Sequence, residues 1–441
     1  MTTAIVLQFI VVLAAIWMGA RYSGVGLGLW GAVGLLVLVV AFGINPTSPP
    51  IDVMLIILAV IMAASVMDAA GGIDFLVRIA ERIIRANPKY VTIVAPLTTW
   101  SFTFVAGTGH IVYPLLPVIY ETAHQSGIRP ERPMAVATIA SQQAITASPV
   151  AAATAAMIGL FAEKGFNAWG LPQILMICVP ATLTGVIVAA IVSMFVGKDL
   201  KHDPEYQKRL AAGLIPAPLP PEGRPPLKPA ARLSAFLFLV GVALVVLLGF
   251  FPELRTLPGA KEPLAMPIVI EIVMLSIAAV MLLATNVGVD EVPKTPTLRA
   301  GVVAVIGIFG LAWLGDSFIA ANKNVIVPAI GQWAEAAPWT FAFGLFFASV
   351  LLYSQAATTR ALMPLGIALG IPPQFLIAMF PSVNGYFFIP TYGSLIAAIN
   401  FDLSGTTKIG KYVLNHSFMI PGVVATTVAV TVGLFLARIM F

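Results

Sequence analysis

LLYSQAATTRALMPLGIALG (351–370), continued by IPPQFLIAMFPSVNGYFFIPTYGSLIAA (371–398), decides the fold. The stretch is embedded in apolar sequence, yet it carries one arginine, a group of Ser, Thr, Gln and Asn, and several Pro and Gly. A charge at bilayer depth costs about 2.5–3.5 kcal/mol on insertion scales, so an arginine there points to function. Helix breakers at that depth persist only where the freed backbone groups meet protein, water or ligand. Arg360 and its polar neighbours therefore read as half of a binding site for a small anion, with the other half expected in the N-terminal part of the chain.

Composition agrees with a membrane setting. The 441 residues are 59% hydrophobic and 10% charged, with a mean hydropathy of +0.98. Apolar runs of about 20 residues recur from end to end, which predicts α-helical spans rather than short alternating strands. The opening MTTAIVLQFIVVLAAIW lacks a basic n-region and a small-residue cleavage site, so it reads as a retained first span. The single cysteine, Cys178, excludes an intrachain disulfide and a thiolate metal cluster. A net charge of +5 could suggest nucleic acid, but the basic residues sit in loops beside spans, where topology alone puts them.

A charged and then proline-rich linker at 197–232, holding KDLKHDPEYQKRL and IPAPLPPEGRPPLKP, divides the chain into halves 1–196 and 233–441. The halves read as repeats. Asp68 ends a span in SVMDAAGG and Asp316 ends one in WLGDSF; both read as interfacial helix caps rather than proton carriers. An amphipathic stretch follows each. Two short apolar arms then flank a polar tip, AGTGH in the first half and SQAATTR in the second, with Pro117 matching Pro364. A long span broken near its middle comes next, so that Ser148 matches Thr391. The expected fold is an all-α polytopic membrane protein. It has two inverted repeats of five spans each plus one re-entrant hairpin each, with broken helices at the midplane. Scaffold spans fall at 1–69 and 233–315, hairpins and broken spans at 91–162 and 339–400.

Five crossings per half make the halves inverted. Of the 24 Lys and Arg, 18 then fall on the inner side and five outside (Lys164, Arg255, Lys261, Lys323 and Arg438), with both termini outside. Arg360 is the cation left over, at a hairpin tip. Four helix N-termini, at the two second arms and at Ser148-Pro149 and Thr391, would converge near the midplane with their free N–H groups. With Arg360 and His110 they favour negative charge, and two pseudo-symmetric halves suit a ligand carrying a carboxylate at each end. The rival readings are that Arg360 pairs with a scaffold carboxylate and that His110 only caps a carbonyl.

The runs FVAGTGHIVYPLLPVIY, IRPERPM, SQQAITASPVAAA, SQAATTRALMP, FPSVNGYFFIPTYGSLIAAI and GTTKIGKYVLNHSFMIPG together resemble the anaerobic C4-dicarboxylate transporter (Dcu) family. The likeness runs over nearly the whole chain. It implies a multi-pass carrier of the bacterial inner membrane for fumarate, succinate, malate and aspartate. Such a carrier is commonly an exchanger, related to a larger ion-transporter superfamily of elevator-type dimers. Carried over by position, the substrate-binding residues are Thr108, Gly109 and His110 at the first tip, and Thr358, Thr359 and Arg360 at the second. The broken spans add Ser141, Gln142, Ser148, Asn384 and Thr391. The tips GTGH and QAATTR replace the Ser-Asn-Thr signature of sodium-coupled relatives. No cofactor or metal is implied. The implied partners are small dicarboxylates, membrane lipid, a second copy in a homodimer and a membrane sensor kinase. The other readings are an ion-coupled symporter of another organic anion, a transporter-like sensor, and an intramembrane protease, for which no HExxH is present.

Overall fold

The computed structural model describes residues 3–22, 24–215, 226–260, 262–352, 354–390 and 392–441; the side chains at 20 and 326–336 lie outside that set. Among the described residues the chain is helical, with one isolated bridge between Ile409 and His416. The first half runs α1 (Thr3–Tyr22), α2 (Gly26–Phe42), α3 (Ile51–Ala69), α4 (Gly72–Ala86), α5 (Val91–Ala106), α6 (Val112–Gln125), α7 (Glu131–Gln143), α8 (Ala152–Glu163) and α9 (Leu171–Ser193). The charged part of the linker contributes the short α10 (Pro204–Ala211). Then come α11 (Ala231–Phe250), α12 (Met266–Thr285), α13 (Pro296–Ala336), α14 (Phe341–Leu352), α15 (Gln355–Ala368), α16 (Pro373–Met379), a 3-10 segment Phe380–Phe387, α17 (Gly393–Phe401) and α18 (Met419–Met440).

Six of the described helices are long and apolar enough to cross a membrane. Their outer faces stay apolar: Leu36, Phe236, Ile272 and Leu283 are exposed. That is stable against lipid and costly against water. α2, α3, α11, α12 and α13 pack among themselves, and α5, α7, α9, α16 and α18 form a second group. α13 touches α15, and α3 touches α8, so the groups meet along those helices. Small residues allow the close approach: a Cβ on Gly28 of α2 would lie 1.9 Å from the Ile306 carbonyl oxygen of α13. The amphipathic α4 turns Leu76, Val77, Ala80 and Ile84 inward onto α5, α6 and α11.

Two expectations about element ends change. Asp316 does not end a span, because α13 runs on through it to Ala336. Nothing in WLGDSF removes a backbone donor, and the carboxylate finds an ionic partner, so the charge is accommodated inside the helix. Nor does α8 start at Ser148-Pro149. The Ser148 hydroxyl accepts the Val150 N–H at 3.3 Å, Ala151 is extended, and the helix begins at Ala152. Ser148 thus closes a short turn instead of capping α8. The matching α17 begins after Tyr392, at Gly393; Thr391 lies outside the described residues.

Candidate functional site

α5 stops at Gly107, whose φ of +70° suits glycine. A Cβ there would also lie 2.6 Å from the Val150 carbonyl oxygen, so the GTG turn sits directly on the break between α7 and α8. Thr108 follows, its hydroxyl accepting the His110 N–H at 3.3 Å. Gly109 lies against the Gln142 side chain. The second turn is built differently. Ser354 caps α15, its hydroxyl accepting the Ala357 N–H at 3.2 Å, as the Ser before a helix predicts.

The two turns meet through amides. Gln355, the first residue of α15, donates to the Gln142 side-chain oxygen at 2.9 Å and to the Asn384 side-chain oxygen at 3.3 Å. Asn384 interrupts its 3-10 segment (φ −98°, ψ 25°) and donates to Gln143 at 3.2 Å. Gln143 in turn donates to Thr426 of α18 at 2.8 Å. One amide network therefore ties the end of α7, the start of α15, the break before α17 and α18. Ser141 lies beside it, its hydroxyl donating to the Thr138 carbonyl at 2.8 Å.

A cavity of about 140 Å³ lies between the turns, lined by Thr108, Gly109, His110, Gln142, Ser354 and Gln355. Its volume suits a ligand much smaller than a drug-sized one. It adjoins a 440 Å³ cavity that shares His110, Ser354, Gln355 and Ala304 and reaches Arg299. Of the expected binding residues, Thr108, Gly109, His110 and Gln142 line the small cavity. Ser141 and Asn384 are buried beside it within the network, and Ser148 is buried in its own turn.

The second tip departs from expectation. Thr358 completes the first turn of α15, and Thr359 and Arg360 lie in the second, beyond its tip. The Thr358 and Thr359 hydroxyls donate to the Ser354 and Gln355 carbonyls at 2.8 and 2.7 Å. Arg360 follows Gln355 by five residues, which rotates it roughly 140° around the helix, away from the small cavity. Its guanidinium meets Glu163 at 2.9 Å and Asp316 at 3.0 Å, and its side chain is 1% exposed. A guanidinium free for a ligand is therefore not what this conformation contains. Both carboxylates line a third cavity, 720 Å³, together with Lys164, Lys323 and Pro364. Sequence reasoning missed Gln355, Gln143 and Glu163. Gln355 was signalled by its place just after a capping serine; Glu163, 197 residues from Arg360, was not signalled at all. Among the described residues no group of three or more His, Cys, Asp and Glu could hold a metal ion.

Comparison with known proteins decides the family. The family described as "Anaerobic c4-dicarboxylate membrane transporter" matches residues 4–441. The chain belongs to the anaerobic C4-dicarboxylate membrane transporter family. It is a multi-pass membrane transporter and not an enzyme. The C4-dicarboxylate transporter DcuA of Escherichia coli K12 is 42% identical over 438 residues, covering 99% of this chain and 100% of the relative. The C4-dicarboxylate transporter DcuA of Wolinella succinogenes is 41% identical, with 99% and 100% covered. The anaerobic C4-dicarboxylate transporter DcuB of Escherichia coli O6:H1 is 38% identical, with 97% of each chain covered. The crystal structure of the Alcanivorax borkumensis YdaH transporter, described as having an unusual topology, aligns with a TM-score of 0.54 at 14% identity. It covers 100% of this chain and 98% of that one, a likeness of fold.

Proposed function

We propose that this member of the family is an exchanger of C4-dicarboxylates such as fumarate, succinate, malate and aspartate, working in the bacterial inner membrane by alternating access. The observation that carries the reading is the small polar cavity between the turn at 107–111 and the start of α15. Thr108, Gly109, His110, Gln142, Ser354 and Gln355 supply hydroxyl, amide, imidazole and backbone donors there. The N-terminus of α15 adds its unpaired N–H groups and about half a positive charge. These groups would replace the lost hydration of a carboxylate without burying a bare cation beside it. Arg299 at the mouth of the adjoining cavity would draw anions in.

α5–α6 and α14–α15 read best as re-entrant hairpins of two inverted repeats. α14 and α15, of 12 and 14 residues, reach only about 18–21 Å at 1.5 Å per residue, short of a hydrocarbon core of about 30 Å. Matched features recur at nearly constant spacing, Asp68 with Asp316 and Pro117 with Pro364. In this reading the hairpins and broken helices carry the substrate past the scaffold helices in a homodimer. The linker and most Lys and Arg face the cytoplasm, and both termini face the periplasm.

Proteoliposomes preloaded with succinate test the exchange. Labelled fumarate should enter faster than into empty vesicles, with no requirement for a sodium or proton gradient. Entry indifferent to internal succinate would refute exchange, and entry driven by a gradient alone would favour an ion-coupled symporter. Competition by a tricarboxylate or a monocarboxylate, but not by succinate, would refute the substrate class.

A further inference from the structure

Arg360 joins two parts of the protein that alternating access must separate. It sits on α15, which begins at the small cavity, and its Asp316 partner sits on α13. Ala304 of α13 lines the small cavity and Asp316 lines the 720 Å³ cavity. Twelve residues of helix set them about 18 Å apart. The two cavities therefore lie at different levels along α13, with the Arg360 ion pair at the level of the 720 Å³ one. The small cavity adjoins the Arg299-lined cavity and shares no lining residue with the 720 Å³ cavity.

The pair is built incompletely. The second carboxylate oxygen of Asp316 and the Nε of Arg360 are buried without a hydrogen-bond partner among the described residues. A buried ion pair holds best when every lone pair and proton is satisfied, so this one is poised to open. Opening it would ordinarily strand a buried guanidinium. Glu163 removes that cost: it stands at the end of α8, which packs directly on α15. Its side chain is 26% exposed against 12% for Asp316. It can stay with Arg360 while Asp316 turns to the Lys323-lined cavity.

We propose that Asp316 and Glu163 are positioning residues for transport. Asp316 latches α15 to α13 and shuts the 720 Å³ side, and Glu163 keeps Arg360 neutralised while the latch is open. The proposal rests on the preceding reading in one respect, that the protein works by alternating access with α15 moving past α13.

The test uses the full chain with Cys178→Ser and Ala152→Cys, a reporter on the small cavity wall. Membrane-impermeant maleimide is applied from each side of oriented vesicles. Asp316→Asn should cut labelling from the Arg299 side about tenfold and raise it from the other, while succinate still protects the reporter at its usual concentration. Glu163→Gln should keep the parental sidedness but slow succinate–fumarate exchange about tenfold. Parental sidedness and rate in Asp316→Asn would overturn the latch. If that variant does not insert, Glu163→Gln decides alone, since it leaves Arg360 paired with Asp316: unchanged exchange overturns the proposal. Loss of succinate protection in Arg360→Gln would also overturn it, by making Arg360 a ligand. Failure of succinate to protect the reporter in the parent would instead remove the cavity reading, a separate outcome.

Discussion

Gln355 and Thr359 share a face of α15, one turn apart, yet they have different work. Gln355 donates to both Gln142 and Asn384, so Gln355→Leu leaves two buried acceptors short of a donor. We expect a loss of about 1–3 kcal/mol in stability and a raised KM for dicarboxylate entry, read from melting in detergent and from uptake kinetics. The Thr359 hydroxyl is spent on its own helix. Thr359→Val should therefore transport like the parent, and a lost affinity in that variant would restore the tip assignment made from sequence. The types of residue were legible: amides, hydroxyls and one cation in apolar sequence can only be there to be satisfied. Which partner satisfies each was not. Arg360 finds acids 44 and 197 residues away, separations at which the order of residues carries no information about contact.

That the chain is built of apolar helices is legible in its apolar runs, because a membrane span needs length and hydropathy and little else. Helix ends are less legible. Ser148-Pro149 carries a start signal and forms a turn, its hydroxyl taken up by the Val150 N–H, while Asp316 carries a stop signal inside a continuous helix, where pairing with Arg360 outranks local propensity. The break at Gly107 is different, because there both levels agree. Gly107→Ala meets a positive φ and the Val150 carbonyl together. It should cost about 1–3 kcal/mol and abolish exchange, with insertion retained, as judged by size-exclusion profile and uptake. The α2–α13 contact has equally little tolerance. A Cβ on Gly310 would lie 1.7 Å from the Gly28 carbonyl oxygen, so Gly310→Val should lower the melting temperature in detergent by forcing the two helices apart. α10 is held by charge. Asp203 meets Arg129 and accepts the Glu205 and Tyr206 N–H groups. Partial burial opposes ionisation, but these partners win and hold the carboxyl below the usual range. A depressed folded value means the docking is fully present above the unfolded value of about 3.9 and fades as pH falls below it. Proteolysis of the linker should accordingly be slow at pH 7 and quicken in strong acid, and Asp203→Asn should quicken it at pH 7.

At the scale of the whole molecule, charge is what sets the proposed orientation, because the helices alone would be as stable either way up. On the inverted-repeat topology proposed above, 18 of the 24 Lys and Arg fall on one side and five on the other. Arg129 and Arg132 belong to the cation-rich side of that topology, where Arg129 grips Asp203, the cap of α10, and Arg132 pairs with Asp199 at 2.9 Å. Loops that carry Lys and Arg near span ends are retained on the cytoplasmic side. Reversing the protein would require translocating the basic linker together with the loops it docks on. Single cysteines in a Cys178→Ser background decide the matter. Thr256→Cys, in the loop between α11 and α12, should react with an impermeant maleimide in intact cells. Ala212→Cys, just after α10, should react only once the cells are opened. Ala212 is exposed and its φ of −81° suits any side chain. The reverse pattern would turn the carrier over. The Arg299-lined cavity would then face outward, and the Arg360–Asp316 contact would close the cytoplasmic end of the path.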